Sequence, residues 1–197
     1  MLLKIVQTGE PVLRQMAREL TKKEILSPAL QQLIELMRET MRDAPGVGLA
    51  APQVGVPLQL AVVEDPPEYL AHVPKDRLEA TERQGVPFHV IINPKISFTD
   101  ETRLTHLEGC LSVEGFSALV PRARGVHVDA LDHKGKPVKI DARGWYARIL
   151  QHEIDHLQGN LYLDRMLIRS FTTNSNHGRY LDGLPIGELK KLLGIEA

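Results

Sequence analysis

The sequence has 197 residues, of which 43% are hydrophobic and 25% are charged, and its formal net charge is -1. This length and composition favour one globular domain over residues 1–197 with a sizeable core, and they exclude a disordered chain. The balanced charge gives no general attraction to nucleic acid or anionic lipid, so neither is expected as a partner. The apolar runs are too short to form a membrane-spanning helix.

The first long predicted element is a helix that begins after Ser27. Ser27 can cap it, Pro28 suits its first turn, and Pro45 and Gly46 end it. The apolar residues of this segment recur at helical spacing and predict one buried stripe: Leu30, Leu33, Ile34, Met37 and Met41.

Apolar segments farther along the chain predict strands. Residues 58–64 and 88–93 are typical of buried strands, and the segment 65–87 between them, rich in proline and charge, predicts a surface excursion. Residues 125–144 alternate in polarity around the turn sequence DHKGKP and predict a β-hairpin. Together with the helices, these strands predict an α+β fold.

The last third of the chain predicts a second long helix over residues 144–158, stopped by Gly159. After it, residues 170–180 are expected to form a polar loop, and residues 186–194 a short final helix. No repeat, low-complexity tract or linker divides the chain.

The second long helix carries the sequence QHEIDHLQG, residues 151–159. Residues four apart share a helix face, so His152 and His156 can point at one metal ion, with Glu153 beside them. The alternative is an exposed polar helix that matches the three fixed positions of HExxH by chance.

The glycine-rich sequence GVGLAAPQVG, residues 46–55, follows the first long helix. Gly46 and Gly48 allow another backbone to approach closely, and Gln53 can both donate and accept hydrogen bonds. The segment lacks the pattern of a phosphate loop. Its alternative interpretation is a tight loop without a binding role.

The third sequence of interest is EGCLSVEG, residues 108–115, which contains the single cysteine, Cys110. With one cysteine, no disulfide can form within the chain. A lone cysteine is usually a small buried hydrophobe, but the thiolate of Cys110 could also supply a third metal ligand.

These three segments together fit the hydrolysis of an amide. Catalytic zinc sites use three protein ligands and leave one position for water, which Cys110, His152 and His156 would satisfy. A metal-bound water has a pKa near neutrality, and Glu153 can take its proton and pass one to a leaving amine. Gln53 and a backbone N–H could stabilise the oxyanion.

Two other classes of protein remain open. A metalloendopeptidase would share HExxH, but it usually takes its third ligand from a histidine or carboxylate downstream of the helix. A non-catalytic zinc module usually has four protein ligands, and the chain has no second cysteine.

The sequences GVGLAAPQ, EGCLS and QHEIDHLQG resemble, in order and approximate spacing, the three motifs of the peptide deformylases. The resemblance covers most of residues 5–165, and GWYARILQHEIDHLQG is similar to the type 1 form of plant and animal organelles. It implies removal of the formyl group from N-formylmethionine of nascent chains. It also implies antiparallel sheets packed around a central metal-binding helix.

The resemblance implies a role for each matching residue. Cys110, His152 and His156 would bind one divalent metal ion per chain, Zn²⁺ or Fe²⁺, and Glu153 would act as the general acid and base. The Gln53 side chain and the Leu111 N–H would bind the formyl oxygen. The residues expected to hold the substrate peptide in an extended form are Val47, Gly48, Leu49, Ala50, Ala51 and Gly109.

The resemblance also implies partners and a location. The expected substrates are formylated amino termini of nascent polypeptides, with the ribosome as a further candidate partner. A homodimer through residues 103–113 is expected by analogy. The expected location is a mitochondrion or plastid after removal of a transit peptide, and the alternative is the bacterial cytoplasm.

Other polar and sulfur-containing residues have structural interpretations. Glu108 or Asp155 could orient a ligand histidine, or Asp155 could pair with Arg122. Trp145 and the remaining histidines are expected to have packing and surface roles. The methionines expected to fill the core are Met16, Met37, Met41 and Met166, and the candidates for an apolar methionine pocket are Val47, Ile149 and Leu150.

Overall fold

An antiparallel sheet of six strands forms the frame of the structure, a computed structural model that describes residues 1–195. The strand order is β1-β2-β3-β4-β5, and β6 pairs with the start of β4. The strands are β1 Gly48–Ala50, β2 Leu60–Asp65, β3 Val86–Gly109, β4 Phe116–Leu131, β5 Pro137–Arg143 and β6 Thr172–Thr173. The predicted domain over residues 1–197 includes two residues outside the described range.

Seven α-helices accompany the sheet within residues 1–195, and several short 3-10 turns join them. No helix in this range is both long enough and apolar enough to cross a membrane. The helices are α1 Lys22–Ile25, α2 Pro28–Asp43, α3 Pro67–Leu70, α4 Lys75–Thr81, α5 Gly144–Leu157, α6 Asn174–Tyr180 and α7 Ile186–Leu192. The predicted α+β class is confirmed.

Helix α2 forms as its sequence predicts. The Ser27 hydroxyl accepts a hydrogen bond from the Leu30 N–H at 3.3 Å, and Pro28 occupies the first turn. Of the predicted stripe, Leu30, Ile34, Met37 and Met41 are buried and Leu33 is partly buried, all on one side of the sheet.

The two central strands extend well beyond their prediction. The strand expected at 88–93 continues to Gly109, and the hairpin strand begins at Phe116, so that Gly109 lies opposite Ser117. Residues 94–107 do not alternate between buried and exposed positions, so their sequence shows no strand pattern. The pairing of β3 with β4 shifts register three times, as at β-bulges. The predicted hairpin is present, with Gly125 opposite Arg143.

Two predicted loops contain helices. The excursion 65–87 includes α3 and α4, and it is tied down by Arg83, which binds the fully buried Asp65 with two hydrogen bonds of 2.8 Å. The prediction of a polar loop over 170–180 is wrong, because α6 occupies that segment and Thr173 caps it.

Helix α5 lies at the centre of the core and not on its surface. Its apolar side packs with the sheet residues of β2, β4 and β5, and only three of its fourteen residues are not buried. Leu150 belongs to this core. Met37 and Met41 fill the core as predicted, but the prediction for Met16 is wrong, since it is 74% exposed.

Gly159 ends α5 in the left-handed region, with φ at +76°. A Cβ there would lie 2.8 Å from the Arg14 carbonyl oxygen, so this glycine serves both the helix end and the approach of the amino-terminal segment.

We expect Gly159→Ala to lower the free energy of unfolding by about 1–3 kcal/mol, because it combines left-handed strain with a backbone clash. The measurement is urea unfolding of the holoprotein followed by circular dichroism. Gly178→Ala in α6 is the matched control, because a Cβ there meets nothing within 4 Å. Equal stability of the two variants would contradict the role of Gly159.

Candidate active site

Three side chains that can bind a metal meet where α5 passes the end of β3. His152 and His156 lie one turn apart on α5, and Cys110 directly follows the last residue of β3. Their ligand atoms all lie within 4.8 Å of one another. The Cys110 sulfur is 3.2 Å from His156 Nε2.

This geometry fits one ion. Two donors at typical zinc distances in a tetrahedral site are roughly 3.6 Å apart, a spacing compatible with this cluster. Among residues 1–195, no other group of histidine, cysteine or carboxylate side chains meets the same criterion. The thiolate and imidazole donors suit zinc or ferrous iron.

Glu153 lies beside these ligands as a buried carboxylate. It is 3% exposed, and its Oε2 atom has no hydrogen-bond partner among the described residues. Burial raises the pKa of Glu153 to about 7, against the opposing effect of His152. A buried carboxylate oxygen without a partner is costly, so it marks a position where a water or substrate group would bind.

Gln53 is aimed at the cysteine by its own local contacts. It is 2% exposed and lies in the 3-10 turn Ala51–Val54, where its Oε1 accepts a hydrogen bond from the Ala50 N–H at 2.9 Å. Its Nε2 donates to the Ser112 hydroxyl at 3.3 Å and lies 3.5 Å from the Cys110 sulfur. Because Oε1 is bound to the backbone, the amide presents N–H groups toward the site.

The Glu108 carboxylate orients His152 from the sheet. It accepts from His152 Nδ1 at 3.1 Å and from two nitrogens of Arg122 at 2.9 and 3.0 Å, and it also binds Arg148. Burial alone would raise the pKa of Glu108, but the His152 hydrogen bond and the Arg122 charge hold it well below its usual range. With Nδ1 bound to a carboxylate, His152 has Nε2 free for a metal.

Asp155 forms a structural ion pair, which was the second of its two interpretations. Its carboxylate pairs with Arg122, as predicted, and accepts two hydrogen bonds of 2.6 Å from Arg165. Arg122 therefore bridges Asp155 on α5 and Glu108 on β3.

Sequence analysis did not single out Arg148, although it is buried and binds Glu108 and the carbonyl oxygens of Val120 and Leu104. Its position four residues before His152 was the available signal, because it puts both side chains on one helix face. The predicted surface position of His106 is wrong. This histidine is partly buried, and burial lowers its pKa to about 4.

A cavity of about 760 Å³ opens onto the cluster. Its lining includes most of the predicted site residues: Val47, Gly48, Gln53, Gly109, Cys110, Leu111, His152 and Glu153. Ile149 and Trp145 line it as well. Leu49, Ala50 and Ala51 do not; they are fully buried in the core behind it.

The chain matches a known protein family. The family model described as polypeptide deformylase matches residues 2–170. The chain therefore belongs to the peptide deformylase family, and the resemblance predicted from the three motifs is confirmed. Nothing in the comparisons supports the metalloendopeptidase alternative.

Similar proteins come from both organelles and bacteria. The chain is 49% identical over 172 residues to the chloroplastic peptide deformylase 1A of Solanum lycopersicum, covering 87% of this chain and 62% of the relative. It is 40% identical over 168 residues to the mitochondrial peptide deformylase of Homo sapiens, covering 85% and 69%. For peptide deformylase 1 of Bifidobacterium longum the identity is 48% over 176 residues, covering 89% and 77%. The chain thus spans less than two thirds of the Solanum lycopersicum protein.

Solved structures share the fold. The peptide deformylase of Ehrlichia chaffeensis aligns with a TM-score of 0.72 and 33% identity, covering 98% of this chain and 97% of that one. The Met-Ala-Ser-bound class I type b enzyme of Acinetobacter baumannii aligns with a TM-score of 0.74 and 33% identity, covering 84% and 99%.

Gly48 is required by the position of Glu153. A Cβ on Gly48 would lie 2.2 Å from Glu153 Oε1 and 2.6 Å from its Cδ, so the Glu153 side chain would have to leave its present position. We expect Gly48→Ala to lower the hydrolysis of a formylated methionyl peptide on the order of 100-fold, since small displacements in an active site have effects of this size.

The control for this variant is Gly187→Ala in α7, where a Cβ meets nothing within 4 Å. Metal content is measured on both proteins by elemental analysis, and both should retain it. Near-normal turnover in Gly48→Ala would show that the close approach does not position Glu153.

Proposed function

We propose that this protein is a metal-dependent amide hydrolase that removes the formyl group from N-formylmethionine at the amino terminus of newly made proteins and releases formate. The observation that carries the proposal is the meeting of Cys110, His152 and His156 beside the unpartnered, buried carboxylate oxygen of Glu153. Membership of the peptide deformylase family supports the choice of substrate.

Cys110, His152 and His156 would hold one divalent ion per chain, zinc or ferrous iron. When bound, such an ion supplies a Lewis acid that polarises the carbonyl and activates water. Glu108 keeps His152 in the tautomer that can bind it, because Glu108 accepts the Nδ1 proton.

Gln53 and Leu111 would stabilise the charge that develops on the formyl oxygen. The Nε2 of Gln53 faces the cysteine, and Leu111 follows that cysteine in the chain and lines the same cavity. Two fixed N–H donors aimed at one oxygen act as an oxyanion hole.

Glu153 would move the proton. Its buried carboxylate would take a proton from the attacking water and later donate it to the methionine amine, which leaves as the formyl C–N bond breaks. Burial raises the pKa of Glu153 above that of a free carboxyl group, which favours its role as a proton carrier.

The substrate peptide would lie between β1 and the end of β3. β1 is the terminal strand in the sheet order, and β2 pairs with β3 only as far as Ile92, so Gly48 and Gly109 each offer backbone groups beside the cavity. An extended peptide adds to such edges through main-chain hydrogen bonds. Val47 and Ile149 would line the methionine pocket, while Leu49, Ala50 and Ala51 would support it from the core.

Assembly and location are further parts of the proposal. Formylated nascent chains imply work near the ribosome, and the homodimer proposed by analogy would form through residues 103–113. Relatives from chloroplasts and mitochondria support an organellar location, with the bacterial cytoplasm as the alternative that bacterial relatives support.

Metal binding should depend on Cys110. We expect Cys110→Ala to lose both tight metal binding and turnover, because two imidazoles do not complete the ligand set. Elemental analysis after anaerobic purification measures the metal and identifies it. In a zinc-loaded crystal the sulfur should lie at about 2.3 Å from the ion and the nitrogens at about 2.0–2.1 Å.

His152→Ala and the exposed His72→Ala form a matched pair for the same measurement. The first should lose the metal and the second should keep it. A Cys110→Ala protein with full metal and full turnover would remove the cysteine from the site.

The reaction itself is tested with two substrates side by side. A formylated methionyl peptide should release formate, and an internal-bond protease substrate should stay intact. Glu153→Gln should keep its metal but lose 10²–10⁴-fold in turnover, on the order expected for the loss of a general base. The exposed Glu79→Gln is the control. Cleavage of the protease substrate would overturn the proposal, and full activity of Glu153→Gln would remove Glu153 as the base.

A further inference from the structure

Gln7, in the amino-terminal segment, binds the loop that carries the cysteine. Its Nε2 donates to the Leu111 carbonyl oxygen at 2.9 Å, and its Oε1 accepts from the Glu114 N–H at 3.1 Å. Both bonds of this side-chain amide therefore go to the backbone of the turn that follows Cys110. The side chain is partly buried and lies at the wall of the cavity.

Hydrogen bonds hold each peptide unit of the turn from Cys110 to Glu114. The Val113 N–H donates to the Cys110 carbonyl at 2.9 Å and closes the turn, and the Thr8 N–H donates to the Ser112 carbonyl at 2.7 Å. With the two bonds of Gln7, every peptide unit from Cys110 to Glu114 has a hydrogen bond. The central peptide of a four-residue turn can otherwise take more than one orientation.

This bonding determines where the Leu111 N–H points. The Cys110 carbonyl and the Leu111 N–H belong to one planar trans peptide unit, so they point in opposite directions. Because the carbonyl is held inside the turn by Val113, the N–H of Leu111 points out of it. Gln7 holds the next peptide unit, which stops the turn from changing shape around Leu111.

The same amino-terminal segment also holds the second oxyanion donor. The Val6 N–H donates to the Gln53 carbonyl oxygen at 2.9 Å, and the Gln53 side chain in turn donates to Ser112 within the turn. Residues 6–8 therefore connect the two elements that carry Gln53 and Leu111.

We infer that Gln7 is a positioning residue for the oxyanion hole: it holds the Cys110–Glu114 turn so that the Leu111 N–H meets the formyl oxygen beside Gln53. The inference rests on the proposed function. Gln7 acts through Leu111 and does not itself touch the metal ligands or the reacting atoms.

The test replaces Gln7 by methionine, which has similar length but no hydrogen bonds to offer. Complete loss of an oxyanion donor costs on the order of 10²–10³ in rate, so a misaimed donor should lower kcat about 10-fold. KM for a formylated methionyl peptide should stay within about twofold, and elemental analysis should show unchanged metal, because neither the peptide-binding edges nor the ligands are altered. Gln7→Asn, whose amide is one methylene too short to bridge Leu111 and Glu114, should act in the same direction and serves if Gln7→Met does not fold.

Thr8→Ala is the matched control, since its contact with the turn is made by the backbone N–H and survives the substitution. It should leave kcat unchanged. An unchanged kcat in both Gln7 variants, an equal loss in Thr8→Ala, or a loss explained by missing metal would each overturn the inference.

A second readout is independent of activity. Amide hydrogen exchange of residues 110–115, followed by mass spectrometry, should be faster in Gln7→Met than in the wild type and Thr8→Ala. Unchanged exchange would overturn the inference even if kcat falls. If the wild type releases no formate, the proposed function fails, whereas the exchange measurement still reports whether Gln7 holds the turn.

Discussion

The site depends on how the buried carboxylate of Glu108 joins the sheet to helix α5. Glu108 is 6% exposed, at the end of β3, and its partners Arg148 and His152 come from α5, while Arg122 comes from β4. A carboxylate buried to this extent is stable only when opposing charges and hydrogen bonds surround it. The contacts of Glu108 with Arg148 and His152 also fix the rotation of α5 about its axis and the tautomer of His152.

Arg122 extends this arrangement along the helix. By binding Glu108 on β3 and Asp155 on α5 at once, it clamps the turn of helix that lies between His152 and His156. Arg165 neutralises the other side of Asp155. The two histidines are therefore supported by a buried ionic cluster on one side and by the apolar core on the other, which gives a rigid platform for a metal.

The opposite wall of the site is formed by closely packed backbone, without a cluster of charged side chains. Gly48 lets β1 come against the Glu153 side chain, and Leu49, Ala50 and Ala51 after it are fully buried, so that Gln53 is brought within reach of Cys110. In this way three segments far apart in the chain each supply one part of the proposed catalytic site. The amino-terminal residues 6–8 then link two of those segments through hydrogen bonds.

The local sequence pattern was sufficient to predict features that depend only on neighbouring residues in the chain. The i, i+4 spacing of His152 and His156, the capping of α2 by Ser27 and the stop at Gly159 are all properties of a few consecutive residues, and each appears in the structure as expected. The long strand β3 escaped detection because its outer half is solvated and irregular, so it has no alternation for a pattern to show. Helix α6 was missed since its sequence is polar and it has no buried residue.

The sequence by itself determined the family, the fold class and the residue types available for a metal site, because the motifs carry them in consecutive positions. Only the tertiary structure decided that Glu108, and not Asp155, orients a ligand histidine, that Arg148 joins the ionic cluster, and that Leu49, Ala50 and Ala51 lie behind the cavity. The reason is physical. The packing of β3, β4 and α5 against one another sets which face of a strand a residue occupies and which charged groups from distant segments pair.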